Sequence, residues 1–247
     1  MDVLFGLIGK NINYSFSSDY FNKKFKNQNF DKYSYQNFDI QNITEITKIL
    51  NDNPNLKGLN VTIPYKESVI PFLDTISKKA KKIGAVNCIK INKNGKLKGY
   101  NTDWFGFYKS IQPHINKNQK ALVFGTGGAS KAILFALKKL KIKYLIVSRF
   151  PNKSQISYQD LTKKIFKKYK ILINTTPVGT FPDVKNCISI PYEYVTEKNL
   201  AYDLIYNPEI TQFLQNCKDN GSKTINGYEM LVTQAEMSFE IWTKIKE

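Results

Sequence analysis

Phe124-Gly125-Thr126-Gly127-Gly128-Ala129-Ser130 is the stretch that decides how this 247-residue chain reads. Ala121-Leu122-Val123-Phe124 leads into it as a short, continuous apolar run, and Ala129 to Leu140 follows with an apolar stripe at helical spacing. The pattern is a buried strand, a tight turn and a helix. Glycine lacks a Cβ, so it permits the turn and lets the backbone approach a pyrophosphate resting on the helix N-terminus. Ser130 departs from the Gly or Ala usual at the sixth position of such a turn. The next strand, Tyr144-Leu145-Ile146-Val147, ends in Ser148-Arg149-Phe150, with Lys153 close behind and no acid before Asp160. An NAD site places Asp or Glu there for the ribose 2′-hydroxyl. A guanidinium, a hydroxyl and an ammonium instead suit a 2′-phosphate, which favours NADP over NAD.

Outward from this turn, strand-like and amphipathic stretches alternate along the whole chain. Upstream lie strands at Val3 to Gly9, up to Asp39, at Leu59 to Ile63 (ended by Pro64) and at Val86 to Ile91, then Leu97 to Tyr100. Helices are expected near Asp19 to Asn27, over Ile43 to Leu50, and after Lys66 up to about Ile83. Downstream, Ile171 to Ile173 and Leu200 to Leu204 read as further strands of one sheet, separated by an irregular, proline-spaced stretch around Thr176 to Pro191. Phe150 to Lys170 is short for a strand–helix–strand connection. A long helix from about Tyr228 to Lys246 carries Met230, Leu231, Phe239 and Trp242 at core spacing. Alternation of this kind gives parallel βαβ units. The expectation is two α/β domains: residues 1–103 with 228–247, whose sheet is mainly parallel, and a Rossmann-type domain over 104–227, with the last helix returning to the first.

The formal net charge of +17 invites a nucleic-acid reading, but of 37 Lys and Arg residues only Arg149 is arginine. Base recognition draws on arginine's bidentate geometry, and lysine scattered through every segment reads as compositional background. Three cysteines and one histidine, His114 in a polar loop, offer no C-x-x-C pair and no zinc spacing, so no metal is expected. The start of the chain has no basic region or small-residue cleavage site, and no apolar run reaches membrane length, so a cytoplasmic protein is expected. Its partners are expected to be small molecules rather than membranes or a specific nucleic acid, and its state monomer or homodimer.

Four polar clusters fall where βα units present their strand ends: Ser15-Phe16-Ser17, Asn60 to Lys66, Gly84-Ala85-Val86-Asn87 and Gly99-Tyr100-Asn101-Thr102-Asp103. Their hydroxyls, amides, one ammonium and one carboxylate suit a small polyhydroxylated carboxylate. Each also has a plainer reading, since Ser and Asn start helices and Asp103 can cap one. In order, S-x-S, N-V-T-x-P-x-K, G-A-V-N, G-x-N-T-D, G-x-G-G-A-S, N-T-T-P-x-G (174–179), D-L-I-Y-N-P (203–208) and G-Y-E-M-L-V-x-Q-A (227–235) closely resemble the shikimate dehydrogenase family over nearly the whole chain.

That resemblance implies NADPH-dependent, reversible reduction of 3-dehydroshikimate to shikimate, a step of aromatic amino-acid biosynthesis. It implies that Ser15 and Ser17 hold the substrate carboxylate, while Thr62, Asn87, Asp103 and Gln234 bind hydroxyls and position the ring, with Tyr206 nearby. Lys66 and Asp103 match the family's catalytic pair. Gly125, Thr126, Gly127, Gly128 and Ala129 match the phosphate turn, Ser148, Arg149 and Lys153 the 2′-phosphate segment, and Leu204 and Gly227 the nicotinamide end. The family usually has Asn-Arg-Thr where this chain has Ser148-Arg149-Phe150, so one hydroxyl is lost beside the 2′-phosphate. The alternatives are a quinate/shikimate dehydrogenase using NAD, and a nucleotide-binding regulatory protein without catalysis, motivated by the charge.

Overall fold

The structure, a computed structural model, describes residues 2–12 and 15–244. It divides into two compact units, Met1–Thr102 with Ala235–Glu247, and Asp103–Gln234. The first unit holds β1 (Val3–Gly9), α1 (Phe16–Asn27), β2 (Tyr33–Asp39), α2 (Ile46–Asp52), β3 (Leu56–Val61), β4 (Thr75–Ile76), α3 (Lys78–Ile83), β5 (Cys88–Ile91) and β6 (Leu97–Tyr100). Its sheet runs β2-β1-β3-β5-β6-β4. Strand β1 pairs in parallel with β2 and β3, whereas β5 runs antiparallel to both β3 and β6. The fully apolar centre of β1, with Phe5 and Ile8 at most 1% exposed, marks a strand covered on both faces.

The second unit contains α4 (Asp103–Ile111), β7 (Lys120–Phe124), α5 (Gly128–Lys139), β8 (Lys143–Val147), β9 (Gln155–Ile156), α6 (Lys163–Lys168), β10 (Ile171–Asn174), β11 (Leu200–Asp203), α7 (Gln212–Asp219) and β12 (Lys223–Ile225). Its sheet order is β12-β11-β10-β7-β8-β9, and every pairing is parallel. This is the Rossmann arrangement, with the direction of winding reversing between β7 and β10. Strand β9 spans 2 residues and α6 spans 6, which accounts for the short connection noted between Phe150 and Lys170.

The last helix, α8 (Tyr228–Thr243), begins in the second unit and ends in the first. Phe239 and Trp242 enter an aromatic cluster there with Phe5, Phe21, Phe25 and Tyr35. The Trp242 ring stacks on Phe5 at 4.9 Å, and its Nε1–H donates to the Ile89 carbonyl at 2.9 Å. The expected return of the chain to the first domain is thus met. The expected run of this helix to about Lys246 is cut short at Thr243, because Lys244 turns to φ +62° and leaves the helical region.

Three further expectations are corrected. The third strand is Leu56–Val61 rather than 59–63, because the pairing with β1 starts at Leu56. The first helix starts at Phe16, not near Asp19, because Ser15 caps it. No single helix runs from Lys66 to Ile83. A turn and a short 3-10 segment at Ile70–Phe72 precede β4, and helix resumes only at α3. Pro71 supplies no backbone N–H to a longer helix, and Asp74 accepts the Leu97 N–H at 2.7 Å, tying this stretch to β6. The Ser77 hydroxyl then restarts the helix by accepting from Ala80 N–H at 3.2 Å. Among the described residues no helix is long and apolar enough to cross a membrane.

Candidate active site

In the second unit the carboxyl ends of β7, β8, β10 and β11 lie on one edge, on both sides of the winding reversal. The turn after β7 is built from its own backbone. Gly125 adopts φ +111°, and a Cβ there would meet Thr175 Oγ1 at 2.6 Å, so this position accepts only glycine. Ser130 Oγ donates to the Gly125 carbonyl at 2.8 Å, which gives the departure from Gly or Ala at the sixth position a structural use. Gly127 is the N-cap of α5, and a side chain there would project into open space. The N-terminal N–H groups of a 12-residue helix therefore face an approachable surface, which fits a pyrophosphate.

At the end of β8, Ser148 is buried and its Oγ accepts the Phe150 N–H at 3.2 Å, shaping the turn that leaves Arg149 exposed. Lys153 is exposed as well. Arg149 acts electrostatically on the Tyr158 phenol, partly offsetting the upward push of burial on that group. The first downstream acid, Asp160, accepts from Ser157 N–H at 2.8 Å and Ser157 Oγ at 2.7 Å, and these bonds hold its carboxyl below the ordinary range. Its carboxylate is spent within its own turn. The donors left at this strand end are cationic, which fits a 2′-phosphate.

Asn174 and Asp203 close β10 and β11, and both are fully buried. Asp203 accepts from Asn174 Nδ2 at 3.1 Å, Ile205 N–H at 3.1 Å and Thr211 Oγ1 at 2.6 Å. Asn174 Oδ1 in turn accepts from Thr176, through N–H at 3.0 Å and Oγ1 at 2.7 Å. This lock sets the course of the chain through Leu204, Ile205 and Tyr206. Gly227 N–H donates to the Ile205 carbonyl at 3.0 Å, and a Cβ at Gly227 would overlap the Leu204 carbonyl. Leu204 and Gly227 thus lie in backbone contact. Asn174 and Asp203 are additions to the expected set, although a polar pair ending two apolar strands is a readable sign of a buried bond.

Burial pushes the Asp203 carboxyl up to about 6 against three hydrogen bonds that pull it down. A raised carboxyl favours the protonated folded state, so its contribution to stability is complete below the unfolded value of 3.8 and is lost as pH rises through about 6. Against Asp203→Asn, which cannot titrate, the wild-type protein is expected to lose about 3 kcal/mol across that window. Urea unfolding of both proteins from acid to neutral pH measures this; parallel stability curves would refute it.

In the first unit the carboxyl ends of β1, β2 and β3 share one edge with the start of β5 and the end of β6. Ser15 and Ser17 open α1, where Ser15 Oγ accepts the Ser17 N–H at 3.4 Å. A helix start with two hydroxyls is a good seat for an anion. Asp39 accepts from Asn11 and Ile12 N–H at 2.9 and 3.2 Å and holds the preceding loop. Thr62 packs its methyl over Gly9. Half-buried Lys66 accepts the Val86 N–H on its carbonyl at 2.7 Å, which brings the 62–66 and 84–87 segments together. Asn87 is buried; its Nδ2 donates to Thr102 Oγ1 at 2.9 Å and its Oδ1 accepts the Thr102 N–H at 2.6 Å. In the second unit, Asp103 is 4% exposed in the first turn of α4. Gln234 on α8 donates from Nε2 to the Leu231 carbonyl at 2.9 Å.

Comparison with known proteins gives a consistent result. Residues 7–89 match the family model described as the shikimate dehydrogenase substrate binding domain. A shikimate dehydrogenase (NADP(+)) of Clostridium botulinum is 39% identical over 96% of this chain and 95% of that protein. A crystal structure of a shikimate dehydrogenase in complex with NADP+ superposes with TM-score 0.89 at 32% identity, covering 99% of this chain and 91% of that one. The shikimate 5-dehydrogenase of Thermus thermophilus, in complex with NADP(H) and shikimate, gives TM-score 0.86 at 28% identity over 98% and 94% of the two chains. A shared fold alone carries no function, but shared sequence along almost the full length of both partners does more: this chain belongs to the shikimate dehydrogenase family.

Proposed function

We infer that this chain is an NADP-dependent oxidoreductase that reduces 3-dehydroshikimate reversibly to shikimate, with Lys66 and Asp103 as its catalytic pair. The observation that carries the reading is the full-length, 39% identical match to an NADP(+)-dependent shikimate dehydrogenase. A cationic β8 end and a glycine-capped α5 agree with it. In this proposal residues 1–103 with 228–247 handle substrate and 104–227 the cofactor, in the cytoplasm.

Bound NADPH supplies the hydride. The Lys66 ammonium gives its proton to the substrate carbonyl oxygen as that oxygen becomes a hydroxyl, and takes it back in the reverse direction. Asp103 accepts hydrogen bonds from the same hydroxyl region and orients it. Ser15 and Ser17 donate to the carboxylate at the start of α1. Thr62, Asn87 and Gln234 hold ring hydroxyls, with Tyr206 beside them. Arg149, Ser148 and Lys153 hold the 2′-phosphate, and Gly125 to Ala129 the pyrophosphate.

The test follows NADPH absorbance with shikimate or quinate, each offered with NADP+ or NAD+. Reduction of NADP+ by shikimate is expected to dominate. Equal rates with quinate or NAD+ would move the chain to the broader-specificity enzyme, and no turnover in any combination would refute catalysis. Replacing Arg149 with alanine is expected to raise the NADP+ KM by about 10- to 100-fold, the worth of a charge-assisted bond pair, while leaving NAD+ unaffected. An unchanged NADP+ KM in that variant means that Arg149 does not read the phosphate.

A further inference from the structure

The stripe that α8 buries in the first unit is Ala235, Ser238, Phe239 and Trp242, and Ser238 is its polar exception. A fully buried hydroxyl in an apolar stripe needs partners inside the protein, and Ser238 has two. Its Oγ accepts from Asn60 Nδ2 at 3.0 Å and shares a hydroxyl–hydroxyl bond with Thr102 Oγ1 at 3.1 Å. Asn60 is itself held in place. Its Oδ1 accepts the phenol of Tyr35, in the middle of β2, at 2.9 Å, and its Nδ2 also donates to the Asn87 carbonyl at 3.2 Å.

On the far side of Ser238, buried Thr102 grips both ends of the Asn87 side-chain amide. The Thr102 N–H donates to Asn87 Oδ1 at 2.6 Å, and Thr102 Oγ1 accepts from Asn87 Nδ2 at 2.9 Å. Thr102 Oγ1 also lies 3.3 Å from Asn87 Oδ1. The protons balance in either direction of the shared bond. If Thr102 donates to Ser238, Ser238 Oγ accepts twice, which its two lone pairs allow. If Ser238 donates to Thr102, the Thr102 proton turns to Asn87 Oδ1. In both arrangements Thr102 Oγ1 remains the acceptor for Asn87 Nδ2.

Thr102 is β-branched, so rotation about χ1 exchanges its hydroxyl for a methyl of nearly the same shape. A methyl at that spot would leave Asn87 Nδ2 without this acceptor. We propose that Ser238 is a positioning residue for substrate binding: its hydroxyl holds Thr102 in the rotamer that fixes the donor and acceptor ends of the Asn87 amide. The inference rests on the reading of Asn87 as a residue that holds a substrate hydroxyl. An amide that turns end for end offers a donor or an acceptor at the same place. One gripped at both ends offers a single choice, and its ordering is complete before the substrate arrives.

Ser238→Ala removes the hydroxyl and fits the same space. It is expected to raise the shikimate KM by about 5- to 10-fold, the worth of one buried hydrogen bond. The kcat and the Kd for NADP+, the latter read by calorimetry, should stay within about twofold, the signature of lost ground-state binding. A merely structural serine would lower the melting temperature and leave that KM where it was. Thr102→Val, which sets a methyl in place of the hydroxyl, is expected to raise the shikimate KM at least as much. Because the two residues act in series, Ser238→Ala should add nothing further in the Thr102→Val background. Additive losses, or a shikimate KM in Ser238→Ala equal to that of wild type, overturn the proposal while leaving the function intact. Wild-type protein that binds NADP+ but no shikimate overturns the substrate reading and this inference with it.

Discussion

Replacing Lys66 with alanine is expected to lower kcat by about 10²- to 10⁴-fold, the usual worth of general acid–base help, with a much smaller change in the shikimate KM. The variant should keep its fold, because the surrounding backbone is held by groups other than the Lys66 side chain. Val86 N–H donates to the Lys66 carbonyl at 2.7 Å, and buried Tyr65 donates its phenol to the Ile40 carbonyl at 2.8 Å. Steady-state kinetics in both directions, with calorimetric binding of NADP+, read the two effects separately. Intact turnover with a raised KM would make Lys66 a binding residue and return proton transfer to Asp103 or to solvent. Lys66→Arg should not restore the rate, since a guanidinium holds its proton too tightly to pass it on.

The second large effect concerns stability. Trp242→Ala removes an indole that is 5% exposed, stacked on Phe5 at 4.9 Å and packed over Gly58. It also leaves the Ile89 carbonyl without the indole N–H that reaches it at 2.9 Å. Truncation of a buried aromatic costs about 3–5 kcal/mol, a large share of the roughly 5–15 kcal/mol that holds a typical domain together. For a chain of this size the melting temperature should fall by on the order of 10 °C. Trp242→Phe, which keeps most of the stack and loses the N–H, should recover more than half of that. A calorimetric melt of the alanine variant within about 2 °C of wild type would show that the cluster relaxes to fill the space.

Much of this architecture is legible in the sequence because some segments carry a single message. Ala121 to Phe124 can only be a buried strand, and the glycines after it only a turn at a helix start. Leu97 to Tyr100 is bounded correctly, and Arg149 stands out as the chain's lone arginine. The region from Lys66 to Ile83 misleads because its local propensities are helical. What breaks it is long-range: Asp74 bonds to Leu97, and β4 pairs with β6. For the site, polar residues at strand ends announce themselves as motifs, whereas a polar residue in mid-strand such as Tyr35 does not. Tyr35, Asn60, Asn174 and Asp203 are polar residues in strand patterns, and their importance lies in partners that sequence spacing cannot supply. Asn60 meets Ser238 across 178 positions of chain.

The placement of Phe239 and Trp242 orders the life of the newly made polypeptide. All strands of the first unit, through Tyr100, are synthesised before residues 103–234, yet the aromatic cluster around Phe5 and Phe21 waits for the final turns of α8 to cover it. The stretch between has by then been made in full, so the segment translated first is the one completed last. Until the ribosome has passed Trp242, Phe5, Phe21 and Tyr35 present apolar surface that a chaperone can hold and that a neighbouring nascent chain can capture.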